Sequence, residues 1–193
     1  MSLRERKKAL TRASIEDTGL RLFVDRGYEA TTIDDICGAV LISRRTFFRY
    51  FSSKEDVVLA GSREGLGRAA EQLRLRPPGE SLHDSLYAPL SEAAAFFESD
   101  RDTQLIRTRL LARTPALAGS YLRVLTDFEH LLRGFLAERC EDHPDAPRVR
   151  LVAAATVTAF RVAIESWTES SGTIALEPLA RRNLGQLLTG CRL

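Results

Sequence analysis

The stretch Ser43-Arg44-Arg45-Thr46-Phe47-Phe48-Arg49-Tyr50-Phe51-Ser52-Ser53-Lys54 carries four positive charges, no acidic residue, and aromatics set among the cations. Ser43 is a good N-cap. A helix starting there puts Arg44 and Arg45 at the positive end of its own dipole, where Asp or Glu would stabilise it. Arg45 and Arg49 stand four apart on one face and repel by about 0.2–0.5 kcal/mol. Phe47 and Phe51, also four apart, predict a side that points into a core. A helix charged against its own dipole makes sense if an outside polyanion supplies the missing negative charge.

Working outward, Thr32-Ile33-Asp34-Asp35 opens a short helix with its own cap and with acids at the favourable end; Ile33, Ile36 and Val40 give it an inner face. Ala39-Val40-Leu41-Ile42 reads as the connection to the helix at Ser43. Upstream, helical periodicity runs from Leu3 to Arg26, with Ile15, Gly19, Leu22 and Phe23 on one face and Gly27 as the stop. Gly19 costs such a helix about 1 kcal/mol against Ala, which points to a tight helix crossing. Downstream, Ser53-Lys54-Glu55-Asp56 opens a helix to Arg74, and Pro77-Pro78-Gly79 breaks the pattern. Further helices are predicted over Ser81–Glu98, Arg101–Arg113, Pro115–Cys140, Pro147–Ser170 and Leu176–Cys191, with connections at Thr114-Pro115, Asp142-His143-Pro144 and Ser170-Ser171-Gly172. Alternating strand patterns are nearly absent, so the fold class is all-α.

The second and third helices with their connection form a helix-turn-helix, whose second helix would enter a DNA major groove by its N-terminal residues. Thr31-Thr32-Ile33-Asp34-Asp35-Ile36, Ser43 to Phe51, and Ser53-Lys54-Glu55-Asp56 together resemble the DNA-binding domain of TetR-family regulators, over about Ile15 to Leu59. The resemblance implies a three-helix DNA-binding head at residues 1–55 and a larger helical ligand-binding and dimerisation domain at 56–193. It implies a homodimer on a double-stranded DNA operator, most often a repressor. By position, Arg44, Arg45 and Arg49 match residues that meet bases, and Arg is the commonest reader of guanine. Thr32, Thr46, Tyr50 and Lys54 match residues that meet phosphates, which fix register without reading sequence. Ser43 caps the reading helix. Phe48 stands where the family often has Tyr, so one hydroxyl is lost, and Leu41 stands where the family usually has Gly. Leu41 therefore either takes a left-handed conformation or forces a different turn.

In the second part, Phe96, Phe97, Tyr121, Phe128, Phe135, Phe160 and Trp167 lie on predicted helices at core spacings, and packing is the default account of each. Arg107-Thr108-Arg109-Leu110-Leu111-Ala112-Arg113-Thr114-Pro115-Ala116-Leu117, Ala137-Glu138-Arg139 and Trp167 are similar to TetR-like regulators of the mycofactocin-regulator type. That resemblance implies that some of these aromatics line a pocket for a small, elongated apolar effector, acyl-CoA-like, with an anionic head met by an Arg such as Arg109. Leu151 to Phe160 is apolar on nearly all faces and must be covered all round, which points to a second subunit and a dimer interface on the last two helices, with complete burial within this chain as the alternative.

The net charge is only +2, and it sits in residues 1–60, with 11 Lys+Arg against 9 Asp+Glu. A globally polybasic protein is excluded, and the local basic stretch stands out. Cys37, Cys140 and Cys191 are odd in number and far apart, which fits a reducing cytoplasm and no disulfide framework or zinc site. The longest apolar stretch, Leu151 to Ile164, is broken by Arg161 and falls short of the ~20 residues of a membrane span. His83, His130 and His143 have no partners at catalytic or metal-ligand spacing, and Gly61 to Gly67 matches no phosphate-binding loop, so neither an enzyme nor a cofactor is expected. Two other readings stay open: a helical carrier or enzyme with a decayed DNA-binding head, and a module that docks its basic helix on an acidic protein.

Overall fold

The computed structural model describes residues 2–140 and 143–190. Among these the chain is all-helical: α1 Leu3–Arg26, α2 Ile33–Val40, α3 Arg44–Phe48, α4 Lys54–Arg74, α5 Leu82–Ser99, α6 Arg101–Arg113, α7 Ala118–Cys140, α8 Pro147–Glu169 and α9 Leu176–Thr189. A 3-10 turn at Pro115–Leu117 precedes α7, so the helix expected from Pro115 starts three residues later, after a proline-led turn. Asp142 and the expected helix end at Cys191 lie outside the described residues.

Local chemistry sets the helix starts. Thr32 accepts from the Asp35 N–H at 3.1 Å while the Asp35 carboxylate accepts from the Thr32 N–H at 2.8 Å, a reciprocal cap. Ser43 and Ser53 accept from the N–H groups of Thr46 and Asp56. Each such cap contributes about 1 kcal/mol. Leu41 takes the left-handed conformation, φ 58° and ψ 46°, and ends α2 by donating to Gly38 and Cys37 carbonyls. The connection is shorter than its sequence suggests, because Ala39 and Val40 stay in α2.

Two cores result. Ile15, Leu20, Phe23, Ile36, Phe47, Phe51, Val57 and Val58 fill the head; Leu86, Leu90, Phe97, Phe128, Leu132, Phe160, Trp167 and Leu184 fill the body. Gly19 lets α1 cross α4: a Cβ there would stand 3.0 Å from the Val57 side chain. Val57 and Val58 belong to the head core although they follow residue 55, because α4 runs unbroken from head to body. Leu117 and the α6 side chains Ile106, Leu110 and Leu111 also pack on the head core, while Leu105 packs on the body. The head thus rests on α6 as well as on α4.

On α8, Ala153, Thr156, Val157 and Phe160 are buried, but Leu151 remains 70% exposed. Complete burial of this stretch within one chain is therefore ruled out.

Candidate nucleic-acid interface and effector cavity

α3 is held from behind by Phe47 and Phe51, both buried, which leaves Arg44, Arg45, Phe48 and Arg49 exposed. Arg45 forms no hydrogen bond or ion pair with the described residues. Arg44 is not free: its guanidinium lies 3.0 Å from the Asp34 carboxylate of α2. Part of the negative charge absent from the reading stretch is supplied by the helix before it. Arg49 donates to the Tyr50 hydroxyl at 3.2 Å and lies 5.0 Å over its ring. Burial pushes the Tyr50 phenol up, yet hydrogen bonds with Arg49 and Thr11 and the charges of Arg49 and Lys8 hold it below its ordinary value. The field on this rim favours anions. Thr32 is exposed, with its hydroxyl bonded to Asp35, and Thr46 meets the Ser43 hydroxyl at 3.0 Å.

Lys54, expected at a phosphate, is held by the head itself. Its ammonium donates to the Tyr28 carbonyl at 2.8 Å and the Thr31 carbonyl at 3.2 Å, and sits 4.3 Å over the Tyr28 ring. It ties the loop after α1 to α4 and does not stand free for a phosphate. The loop carbonyls left by the end of α1 are the reason, since they need donors.

In the body, Phe97, Tyr121, Phe128 and Phe160 line one narrow slot, with Leu90, Leu125, Val157 and Ile164. Its free volume is about 20 Å³, room for about one water molecule. A groove of about 440 Å³ adjoins it between α6, α7 and α8, lined by Thr108, Leu111, Tyr121, Leu125, Arg161, Ile164, Glu165 and Thr168. Tyr121, Leu125, Arg161 and Ile164 form the wall common to both. Three of the expected pocket residues lie elsewhere. Trp167 is fully buried core. Phe96 packs beneath Arg68, whose guanidinium is 4.9 Å over its ring. Arg109 donates to Ser171 at 2.8 Å and faces neither hollow. The cation at the cavity is Arg161, ion-paired with Glu165. Its signal in the sequence was the break it makes in the apolar run of α8. Burial raises the Tyr121 hydroxyl above its ordinary value, with Arg161 opposing. A larger hollow of about 890 Å³ lies at the far end, between the α4–α5 loop and α7. Its cations are committed: Arg139 donates to the Pro77 and Glu80 carbonyls and Arg74 pairs with Glu71.

A short helix with cations outward, set on a three-helix core and joined by one continuous helix to a hollow helical body, defines a helix-turn-helix transcriptional regulator. Comparison with known proteins gives the family. The bacterial regulatory proteins of the tetR family match residues 15–60, and the MftR C-terminal domain matches residues 80–192. The chain belongs to the TetR family. It is 34% identical to the HTH-type transcriptional regulator TcmR of Streptomyces glaucescens over 175 residues, 86% of this chain and 76% of that protein. Among solved structures, the fatty acid degradation regulator FadR of Bacillus halodurans shares the fold with a TM-score of 0.68 at 22% identity, over 93% of this chain and 99% of that one. Thermus thermophilus FadR, a TetR-family transcriptional repressor solved with lauroyl-CoA, has a TM-score of 0.63 at 26% identity over 94% of this chain and 95% of that one. No helix among the described residues is long and apolar enough to cross a membrane.

Proposed function

We propose that this chain is a homodimeric cytoplasmic repressor that releases its operator when an elongated apolar, acyl-CoA-like molecule enters the body. The observation that carries this reading is the shared wall of Tyr121, Leu125, Arg161 and Ile164 between the aromatic slot and the groove along α6. An acyl chain threaded past Tyr121 would lie among Phe97, Phe128 and Phe160, with its anionic head beside Arg161. The slot is nearly closed, so a chain entering it must part α7 from α8, and the adjoining groove is walled by α6, on which the head rests. The lauroyl-CoA of Thermus thermophilus FadR supports an effector of this class.

In this reading residues 1–55 meet DNA and residues 56–193 hold the effector and the second subunit. Arg44, Arg45 and Arg49 meet bases, while Thr32, Ser43, Thr46 and Tyr50 order the phosphate contacts. The exposed Leu151, Val162 and Leu188 on α8 and α9 are covered by the same helices of the partner. Two heads must stand about 34–36 Å apart to dock in successive major grooves. An effector that binds a different head spacing more tightly shifts the population away from the DNA-bound form.

The test is fluorescence anisotropy on duplexes from the chain's own upstream region, with and without lauroyl-CoA. Sequence-specific binding that lauroyl-CoA reverses supports the reading. Tight lauroyl-CoA binding with no specific duplex would establish a carrier instead.

A further inference from the structure

The DNA-facing side of the head exposes two large apolar side chains. Leu41, in the turn before α3, is 91% exposed, and Phe48, on α3, is 48% exposed. Leu41 also holds a left-handed backbone that disfavours a side chain of its kind. The Phe48 ring is fixed in place. It meets the buried Phe47 edge-on, with centroids 5.6 Å apart and planes at 89°, and the Arg44 guanidinium lies 6.0 Å over it.

The surroundings say what covers these side chains. Arg44 and Arg45 are exposed on the same short helix, and Arg49, also exposed, caps its end. Arg44, Arg45 and Arg49 carry one sign of charge and residues 43–54 hold no acid, so the rim around this aromatic suits a polyanion. It fits a duplex. In a major groove the one apolar group on the base edges is the C5 methyl of thymine, and Phe contacts it where Arg contacts guanine. A phenol at position 48 could reach a phosphate; a phenyl ring cannot, and its remaining use on this face is apolar.

We infer that Phe48 reads a thymine methyl next to the guanine met by Arg44 or Arg45. This inference rests on the regulator reading above and assigns Phe48 to specificity rather than to register. The half-site it demands pairs a guanine with a nearby thymine.

The experiment begins by selecting duplexes from a random library with the full chain. Each thymine of the selected site is then replaced by deoxyuridine, which removes the methyl and nothing else. One position per half-site should lose about four-fold in affinity, the worth of one buried methyl group. Phe48→Ala should bind the thymine and uracil sites equally, and Phe48→Tyr, which keeps the ring, should retain the difference. Circular dichroism confirms that both variants fold. If the native chain binds thymine and uracil sites alike at every position, or if Phe48→Ala keeps the difference, the inference is overturned. If no duplex is selected at all, the regulator reading fails and this inference fails with it.

Discussion

Arg107 of α6 and Glu16 of α1 form an ion pair of 2.7 Å across the junction of body and head. The Arg107 side chain is 3% exposed and also donates to the Val57 and Val58 carbonyls of α4, the latter at 3.0 Å. Burial pulls the guanidinium pKa down and Glu16 opposes it. One side chain therefore joins α1, α4 and α6. The next residue, Thr108, lines the groove between α6, α7 and α8 and accepts from the Thr168 hydroxyl at 2.9 Å. α6 touches head and groove at consecutive positions.

Breaking one side of a buried pair costs about 3–5 kcal/mol. Glu16 keeps 21% of its side chain in solvent and can rehydrate, so Arg107→Met should fall at the lower end, read as a lower urea midpoint. Glu16→Gln keeps the shape and removes the charge. It should leave a folded protein whose duplex is released less completely by lauroyl-CoA, since allosteric coupling is typically worth about 1–3 kcal/mol. Release equal to that of the native chain would show that the pair carries no coupling.

Gly61 stands under this junction. A Cβ there would lie 2.4 Å from Gln104 Oε1 and 2.8 Å from Arg107 Cδ. Helix propensity alone favours Gly61→Ala by about 1 kcal/mol. Overpacking a filled site costs about 1–3 kcal/mol, and both neighbours are buried. The clash wins, and thermal unfolding should show a net loss. A stabilised variant would mean that Arg107 moves aside freely.

The head was legible in the sequence because its signals are local: Thr32, Ser43 and Ser53 start helices from their own side chains, and Phe47 and Phe51 declare an inner face by spacing alone. Leu41 showed as an oddity, and the structure chose between its two alternatives. Gly19 showed as a crossing, and Val57 is what it crosses. The body was legible as helices but not as a cavity. Phe97 and Phe96 are adjacent and alike in sequence, yet one lines the slot and the other lies under Arg68. Which Arg faces the hollow depends on how α6 and α8 rotate against each other, and no local pattern holds that rotation. Arg107 carried no role in the sequence and Lys54 read as a phosphate contact, because the acceptors that hold them lie far away in the chain.

Lys54→Ala tests that last point. The hydrogen bonds of Lys54 to the Tyr28 and Thr31 carbonyls are charge-assisted, a class worth about 1.5–3 kcal/mol each when it counts. The variant should lose stability at the lower end of that range, because the loop is partly open to water. The salt dependence of DNA binding should keep its slope. A fall of about one unit in the slope would instead mark a phosphate contact.

Acid should loosen the head. Hydrogen bonds from the Thr32 side chain and backbone hold the Asp35 carboxyl below its ordinary value. At Asp56 burial pushes up, but hydrogen bonds from Ser52 and Arg63 outweigh it and the carboxyl again sits low. A carboxyl lowered by folding stabilises fully above its unfolded pKa, about 3.9, and that stability goes as pH falls through the lower folded value. Melting temperature should therefore drop as pH falls below about 4. The Asp35→Asn and Asp56→Asn double variant should start less stable and show a flatter acid limb in circular dichroism melts.

Asp34 places a negative charge beside the exposed arginines of α3, 3.0 Å from Arg44. Both side chains are mostly in solvent, so the pair adds between about 0 and 1 kcal/mol to stability. Asp34→Asn should leave the melting temperature nearly unchanged. On DNA the effect differs, because it removes a repulsion and frees a guanidinium. Affinity for every duplex should rise, by up to about ten-fold for a gain of ~1.4 kcal/mol, with a steeper salt dependence. The ratio of specific to random binding discriminates two roles for the pair. If the ratio holds, Asp34 only tempers the charge of the face. If the ratio falls while random binding rises, Asp34 aims Arg44 at its base, and the ion pair is part of how the operator is read.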